Sequence, residues 1–375
     1  MAIYAFNNEF GKAQSSINLG DRRKIAIAAH VEVRTVINAN AALVDAGLAD
    51  VLVGSYARSL SVWPGKDVDV FGRLSAHTVD TITPASAYEL FATALAPFEA
   101  QGRLTRQPRS LKVSFGREYP VSERSVRDAG EAEGWSAVEI RDLVTKAASI
   151  DFEFSVDVVP GVEWDQHYGI PEVDVATDGT RSLAQTWKRT DPVALNDETI
   201  ERNREPTISG QGAFVPTVKA LKQIKMHHLA EVKPSFLFYE FMLHEGVADG
   251  SVEGDTWADI TSSALSYVAA RLGTVRFNPV CDPVLSEPYA PAPDPAAMET
   301  SRILFTDLAA KATFAVSTHD RCQAAITWRQ ILGTNRGGRE VFSLPEGCRG
   351  SGVAQGAVAA NTSSGGTEER SFGRR

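Results

Sequence analysis

The chain has 375 residues, too long for one minimal core and suited to two packed lobes or one domain with a large extension. Hydrophobic residues make up 43% and charged residues 23%, which excludes a largely disordered protein. The formal net charge of −9 argues against a stable non-specific complex with nucleic acid, but not against nucleotides held through a cation.

The three cysteines, Cys281, Cys322 and Cys348, show neither a pairing pattern nor metal-ligand spacing, so reduced thiols in a cytoplasmic protein are expected. The first residues lack a basic segment followed by an apolar one, so no signal peptide is expected. No apolar run approaches the roughly 20 residues that cross a bilayer, and no membrane partner is expected.

In chain order, Leu19 to Ala46 reads as a long helix with Ile25, Ala28, Val33, Val36, Ile37 and Leu43 near one stripe, stopped by Gly47. Asp50 to Val53 is a short apolar strand ending at Gly54-Ser55. A polar loop with Pro64-Gly65 leads into Asp67 to Phe71, a strand with period-2 alternation. Residues 84–100 read as helix, 111–115 as strand and 121–148 as a charged helical insertion. Phe152 to Val159 is a further strand, closed by Pro160. After Asp191 the character turns helical, with helices over 213–230, 234–246, 255–272 and 298–332 and a proline-rich connection over 278–294. Alternating strands and helices in the first half argue for an α/β or α+β core, and with the helical second half the fold class expected is α+β. Its divisions are a first domain over 1–190, a helical lobe over 191–348 and a tail over 349–375. The tail is rich in Gly, Ser, Ala and Thr and is expected to be disordered.

The chemistry concentrates in the first half. Asp67 and Asp69 stand at i and i+2 of a strand, so both point to one face, about 7 Å apart at the backbone. Side by side such charges repel, and a divalent cation resolves the repulsion. Val68 and Val70 point the other way. Gly54-Ser55 ends the preceding strand; glycine permits close approach of the backbone to a phosphate, and serine adds a donor. Asp157 is a lone acid in the apolar run Val156-Asp157-Val158-Val159-Pro160, where an unpaired charge is costly. Asp151 and Glu153 stand in less apolar settings and rank lower. Each feature alone has a plain structural reading: a solvated strand face, an ordinary turn, an edge aspartate.

Together they form a compound pattern: Gly-Ser, eleven residues, then Asp-Val-Asp-Val. It resembles the signature of the DNA polymerase β-like nucleotidyltransferases. Within that superfamily, Gly54-Ser55-Tyr56-Ala57-Arg58-Ser59-Leu60-Ser61-Val62, Pro64 to Phe71 and Val156 to Pro160 resemble the bacterial cGAS/DncV-like nucleotidyltransferases (CD-NTases). Trp187 to Pro192, Asn196, Asn203, Phe214 to Lys222 and Lys233 to Leu237 resemble the family's following segments, so the likeness runs from about residue 19 to about 340. It implies a nucleotidyltransferase core, a mixed sheet with flanking helices, joined by a long spine helix to a C-terminal helical lobe.

The resemblance implies that Asp67, Asp69 and Asp157 are catalytic and hold two Mg2+ ions, with Mn2+ as an alternative. Gly54, Ser55, Lys222 and Ser235 would bind the triphosphate, and Lys219, one turn earlier, could stand in for Lys222. It further implies a synthase making a cyclic di- or trinucleotide from ATP and other nucleoside triphosphates. Its product would be read by a downstream effector in antiphage (CBASS) signalling. The sequence departs from the family pattern at Leu60, where a threonine is usual, and in the insertion over residues 117–150. No Cys/His cluster of a zinc thumb is visible, and His227 and His228 read as surface or packing residues. Rival readings are transfer of a nucleotide to an RNA, protein or small-molecule acceptor, a nucleotide-binding regulator without turnover, and an interaction protein recruiting through its tail.

Overall fold

The computed structural model describes residues 1–65, 67–175, 181–230, 234–290 and 292–349. The expected disorder of the tail, and Lys66 and Lys233 of the quoted motifs, fall outside them.

The chain begins with α1 (Asn7–Ser16), α2 (Asp21–Asn38) and α3 (Ala41–Asp45), then β1 (Leu48–Val53), the short α4 (Gly54–Ala57) and β2 (Asp67–Thr78). Next come α5 (Pro84–Ala94), α6 (Ala96–Glu99), β3 (Leu104–Arg106), β4 (Leu111–Phe115), α7 (Glu123–Ala132), α8 (Ala137–Ala148), β5 (Phe154–Trp164), β6 (His167–Val175) and β7 (Arg181–Thr190). The remainder is α9 (Pro192–Arg202), the small ribbon β8 (Thr207–Ile208) and β9 (Gln211–Gly212), and then α10 (Phe214–His228), α11 (Phe236–Ala248), α12 (Trp257–Thr274), α13 (Pro295–Ser317) and α14 (Arg321–Leu332).

The main sheet runs β1-β2-β5-β4-β3, with β6 and β7 added from the far end of β5. It is mixed: β2 and β5 are parallel, while β1–β2, β4–β5 and β5–β6 are antiparallel. One face carries Val68, Val70, Val156 and Val158, all buried with α2, α5, α7 and α8 in the first core. A second core gathers α1 and α10 to α14, with Leu60 and Val62 from the loop after α4. Ile17 belongs to the helical core and Ile25 to the sheet core, so the chain passes from one to the other where α2 begins.

Several boundaries differ from the sequence reading. The helix expected over 19–46 is broken after Asn38, because the Asn40 side chain accepts from Leu43 N–H and starts α3 afresh. The helix expected over 298–332 is divided at Thr318–Asp320, where Asp320 caps α14 through Cys322 and Gln323 N–H. Pro160 does not close its strand: β5 runs on to Trp164. Pro160 falls between the stretch paired to β4, which ends at Val158, and the stretch paired to β6, which starts at Val162, so no neighbour on that side needs its missing N–H. The insertion forms two capped helices, α8 with Ser136 and Glu139 in a capping box, and α7 packs on α2.

The expectation of reduced cysteines is corrected for two of the three. Cys322 and Cys348 form a disulfide with Cα atoms 5.2 Å apart, and Cys281 is free. Spacing could not show this pair: Val341 and Phe342 bury in the helical core and so return the following segment to the start of α14. Among the described residues, no helix is long and apolar enough to cross a membrane.

Candidate active site

Strand register assembles the acidic cluster. In the parallel β2–β5 pair, Asp69 lies opposite Asp157 and Asp67 opposite Ser155. Asp67 and Asp69 share a face by their spacing, and the register adds Asp157 to that face. The valines between them anchor the other face in the core, so a slip of one residue would turn all three carboxylates inward. Lys112 stands opposite Asp157 on the other side, across β4–β5.

The carboxylates are electrostatically frustrated. Burial, then Asp67 and Asp157, push Asp69 up to about 7, against the opposing pull of Arg58 and Lys222. Burial is also the main cause that pushes Asp157 up to about 6; Asp67 adds to it, while a hydrogen bond from Ser155 and the charge of Lys112 oppose it. Asp157 Oδ1 is buried with no hydrogen-bond partner. Among the described residues, no group of three acidic, histidine or cysteine side chains already converges closely enough to enclose an ion. Even so, an all-oxygen donor set with one orphaned buried oxygen and mutual repulsion fits a hard divalent cation such as Mg2+.

Gly54 makes the close approach that the sequence suggested. Its φ is +71°, and a Cβ at this position would overlap Asp69 Oδ2. The turn that follows is tied to itself: Ser55 O accepts from Leu60 N–H at 2.8 Å and Ser61 N–H at 3.1 Å, and the Ser55 and Ser61 hydroxyls share a 3.1 Å hydrogen bond.

A cavity of about 250 Å³ opens beside this turn, lined by Ser55, Ser61, Asp67, Lys222, Ser235 and Phe236 among others. Lys222, on α10, lies with its Nζ 5.5 Å from the Phe236 ring centroid. Burial lowers its pKa, while Asp67, Glu240 and Asp69 oppose that effect. Ser235 occupies the N-cap position of α11 but does not cap it; its hydroxyl pairs instead with Tyr289 Oη at 2.6 Å. The positive end of α11 thus meets the cavity without a side-chain cap, a setting that favours an anion. Of the residues singled out in the sequence, Ser55, Asp67, Lys222 and Ser235 line this one cavity, with Gly54, Asp69 and Asp157 beside it. Lys219 lines a different cavity and donates to Asn18 Oδ1.

The sequence reading missed the pair behind the turn. Arg58, the C-cap of α4, meets Glu240 of α11 with side chains 4% and 3% exposed and Nη2 3.0 Å from Oε1. The contact is not a two-pronged fork: Nη2 donates to Oε2 at 3.2 Å, while Glu240 Oε1 and Arg58 Nε lack hydrogen-bond partners. A signal for Glu240 existed, since it is an acid set directly between aromatic and apolar residues, Phe238-Tyr239 and Phe241-Met242-Leu243, of a strongly apolar helix. Leu60, the departure from the family pattern, is fully buried in the helical core. His227 accepts from Thr334 N–H, just after α14, at 3.2 Å, and His228 Nε2 pairs with Ile331 O, in the last turn of α14, at 3.0 Å.

No protein-family model matches the sequence, and no curated protein matches it significantly. Solved structures do resemble the fold. CdnC of Escherichia coli MS115-1, solved with ATP, is 13% identical over 90% of this chain and 98% of its own, with a TM-score of 0.57. The CD-NTase CdnG of Bradyrhizobium diazoefficiens in complex with GTP is 11% identical over 87% of this chain and 96% of its own, with a TM-score of 0.58. The Vibrio cholerae DncV cyclic AMP-GMP synthase with nonhydrolyzable GTP is 13% identical over 90% of this chain and 87% of its own, with a TM-score of 0.51. The chain therefore has the α+β fold of the cGAS/DncV-like nucleotidyltransferases, as its motifs led us to expect.

Proposed function

We propose, from this cGAS/DncV-like nucleotidyltransferase fold, that the protein is a Mg2+-dependent synthase joining nucleoside triphosphates into a cyclic di- or trinucleotide that signals in antiphage defence. The observation that carries the reading is the parallel register placing Asp69 against Asp157, with the Gly54–Ser55 turn touching Asp69. The solved neighbours that hold ATP or GTP on the same fold support nucleoside triphosphates as substrates.

Asp67, Asp69 and Asp157 would hold the cations. Bound Mg2+ supplies Lewis acidity, offsetting charge on the triphosphate and easing deprotonation of the acceptor hydroxyl. The chain's own groups bind and orient. Ser55 and Ser235 donate to phosphate oxygens, and Lys222 sets a positive charge beside them. Phe236 gives the cavity an apolar wall for a base. The acceptor 2′- or 3′-oxygen then bonds to the α-phosphorus as the bond to pyrophosphate breaks, and a second such step closes the ring. Held in line, this step gains chiefly from positioning.

Purified protein incubated with Mg2+ and all four ribonucleoside triphosphates should give a phosphatase-resistant cyclic oligonucleotide by mass spectrometry, absent from an Asp67→Asn/Asp69→Asn variant. A nucleoside monophosphate attached to a protein or RNA acceptor would replace this reading with the transferase one. No product with Mg2+ or Mn2+, despite triphosphate binding, would favour a regulator without turnover.

A further inference from the structure

A second cavity, of about 450 Å³, shares Ser61 as a wall with the nucleotide cavity but includes none of the three aspartates. Two cations enter it, Arg23 from α2 and Lys219 from α10. Around them stand the hydroxyls of Tyr56 and Ser59 and the amides of Asn18 and Gln211. Lys219 donates only to the neutral Asn18 side chain, and Tyr56 Oη donates to Arg23 O at 3.4 Å. Among the described residues, neither cation has a carboxylate within ion-pair distance. Burial first, and then repulsion from Lys222 and Arg23, push Lys219 down to about 8. A half-buried lysine repelled by two other cations, with a neutral amide oxygen as its acceptor and, among the described residues, no carboxylate within ion-pair distance, leaves the charge of the cavity unbalanced.

We propose that this second cavity binds a phosphate-bearing small molecule, with Arg23 and Lys219 as its charged contacts. Phosphate suits the lining because it accepts several hydrogen bonds at once and tolerates a point-charge lysine beside a planar guanidinium. The volume falls within the roughly 300–1,000 Å³ of small-molecule sites, larger than a bare ion needs. Lys219, which the family likeness offered as a stand-in for Lys222, is thereby assigned a ligand of its own. The inference goes beyond the synthase reading and does not need turnover.

Calorimetric titration of the full chain in chelator tests it, with inorganic phosphate, AMP and citrate as separate probes. AMP or phosphate should bind, and which of the two binds tells a phosphorylated metabolite from the free ion. The affinity should fall about tenfold in Arg23→Gln and in Lys219→Gln, the size of one charge-assisted hydrogen bond. It should be retained in Lys222→Ala and in the Asp67→Asn/Asp69→Asn variant, and Lys219→Arg should recover part of it. Arg23 is exposed, so its variant reads the site even if changes at Lys219 disturb folding. Loss of binding in Lys222→Ala instead, citrate binding as well as AMP, or no binding of either phosphate probe would each overturn the proposal.

Discussion

Asp69 illustrates the conflict between stability and function at a single residue. Held at about 7 by burial and its acidic neighbours, it costs the fold energy whenever it is ionised without a cation. Asp69→Asn should therefore raise the melting temperature in chelator at about pH 8 by a degree or more, at about 1.3 °C per kcal/mol from an unfolding entropy of about 2.1 cal/mol/K per residue. If the cluster holds Mg2+ as proposed, added Mg2+ should raise the melting temperature of the native chain but not of this variant, which differential scanning fluorimetry reads directly. The Arg58–Glu240 pair makes the opposite case. Glu240→Gln leaves a buried guanidinium without its counter-charge and should cost about 3–5 kcal/mol in denaturant unfolding. An Arg58→Met/Glu240→Leu double variant should recover most of that stability. Its KM for triphosphate should stay raised, because the turn carrying Ser55 would have lost its tie to α11.

Among the elements, α11 separates capping from binding. Ser235 stands where a capping serine belongs, yet its hydroxyl turns to Tyr289, so removing it should spare the helix. Ser235→Ala is expected to raise the KM for triphosphate several-fold while lowering stability by less than the ~1 kcal/mol usual for a lost cap. Thermal melts and initial rates on the same variant distinguish the two effects. Elements with a local rule were legible in the sequence: the alternating strand at Asp67 to Phe71, the helical character of the insertion though not its division into α7 and α8, and α10 to α12. Gly54-Ser55 with Asp67 and Asp69 were legible as candidates because that motif is local and compound; Asp157 stood out as a lone acid in an apolar run, and only strand register sets it against Asp69. The β6–β7 hairpin was not, for its strands rest on pairing with the far end of β5 rather than on a clear alternation of their own. Arg58 with Glu240 and Cys322 with Cys348 joined residues that only tertiary folding brings together, 182 and 26 positions apart. Pro160 misled because its meaning depends on which neighbour lies beside it.

At the scale of the whole molecule, buried ionisable groups set an opposed pair of pH limits. Asp69 and Asp157, at about 7 and about 6, keep protons in the fold that the unfolded chain has already released. Their contribution is full below about pH 4 and is lost as pH rises through 6 and 7. His30 and His244, pushed down to about 4 and about 3 chiefly by burial, stay neutral in the fold. Their contribution is lost as pH falls below about 6.5, where the unfolded chain takes up protons. Metal-free protein should thus be most stable near about pH 6 as far as these groups decide. The rise in melting temperature on adding Mg2+ should be larger at about pH 8 than at about pH 5.5, because cations compete with protons for the same oxygens. Equal rises at both values would remove the carboxylates from the binding site.

The helical core is built from both ends of the described chain. Ile3 N–H donates to Val316 O at 3.0 Å and Tyr4 Oη to His319 O at 2.6 Å, across more than 300 positions of sequence. On a ribosome, the first seventeen residues emerge long before the helices that will cover them. The sheet, with its three aspartates, has all its strands by Thr190. The wall bearing Lys222 and Ser235 belongs to a core that stays open until α13 and α14 arrive. Synthesis itself thereby acts as a timer: a nascent chain carries its acidic cluster early but settles the other side of its cleft only after α14 has been made, so the proposed reaction would wait on that late segment.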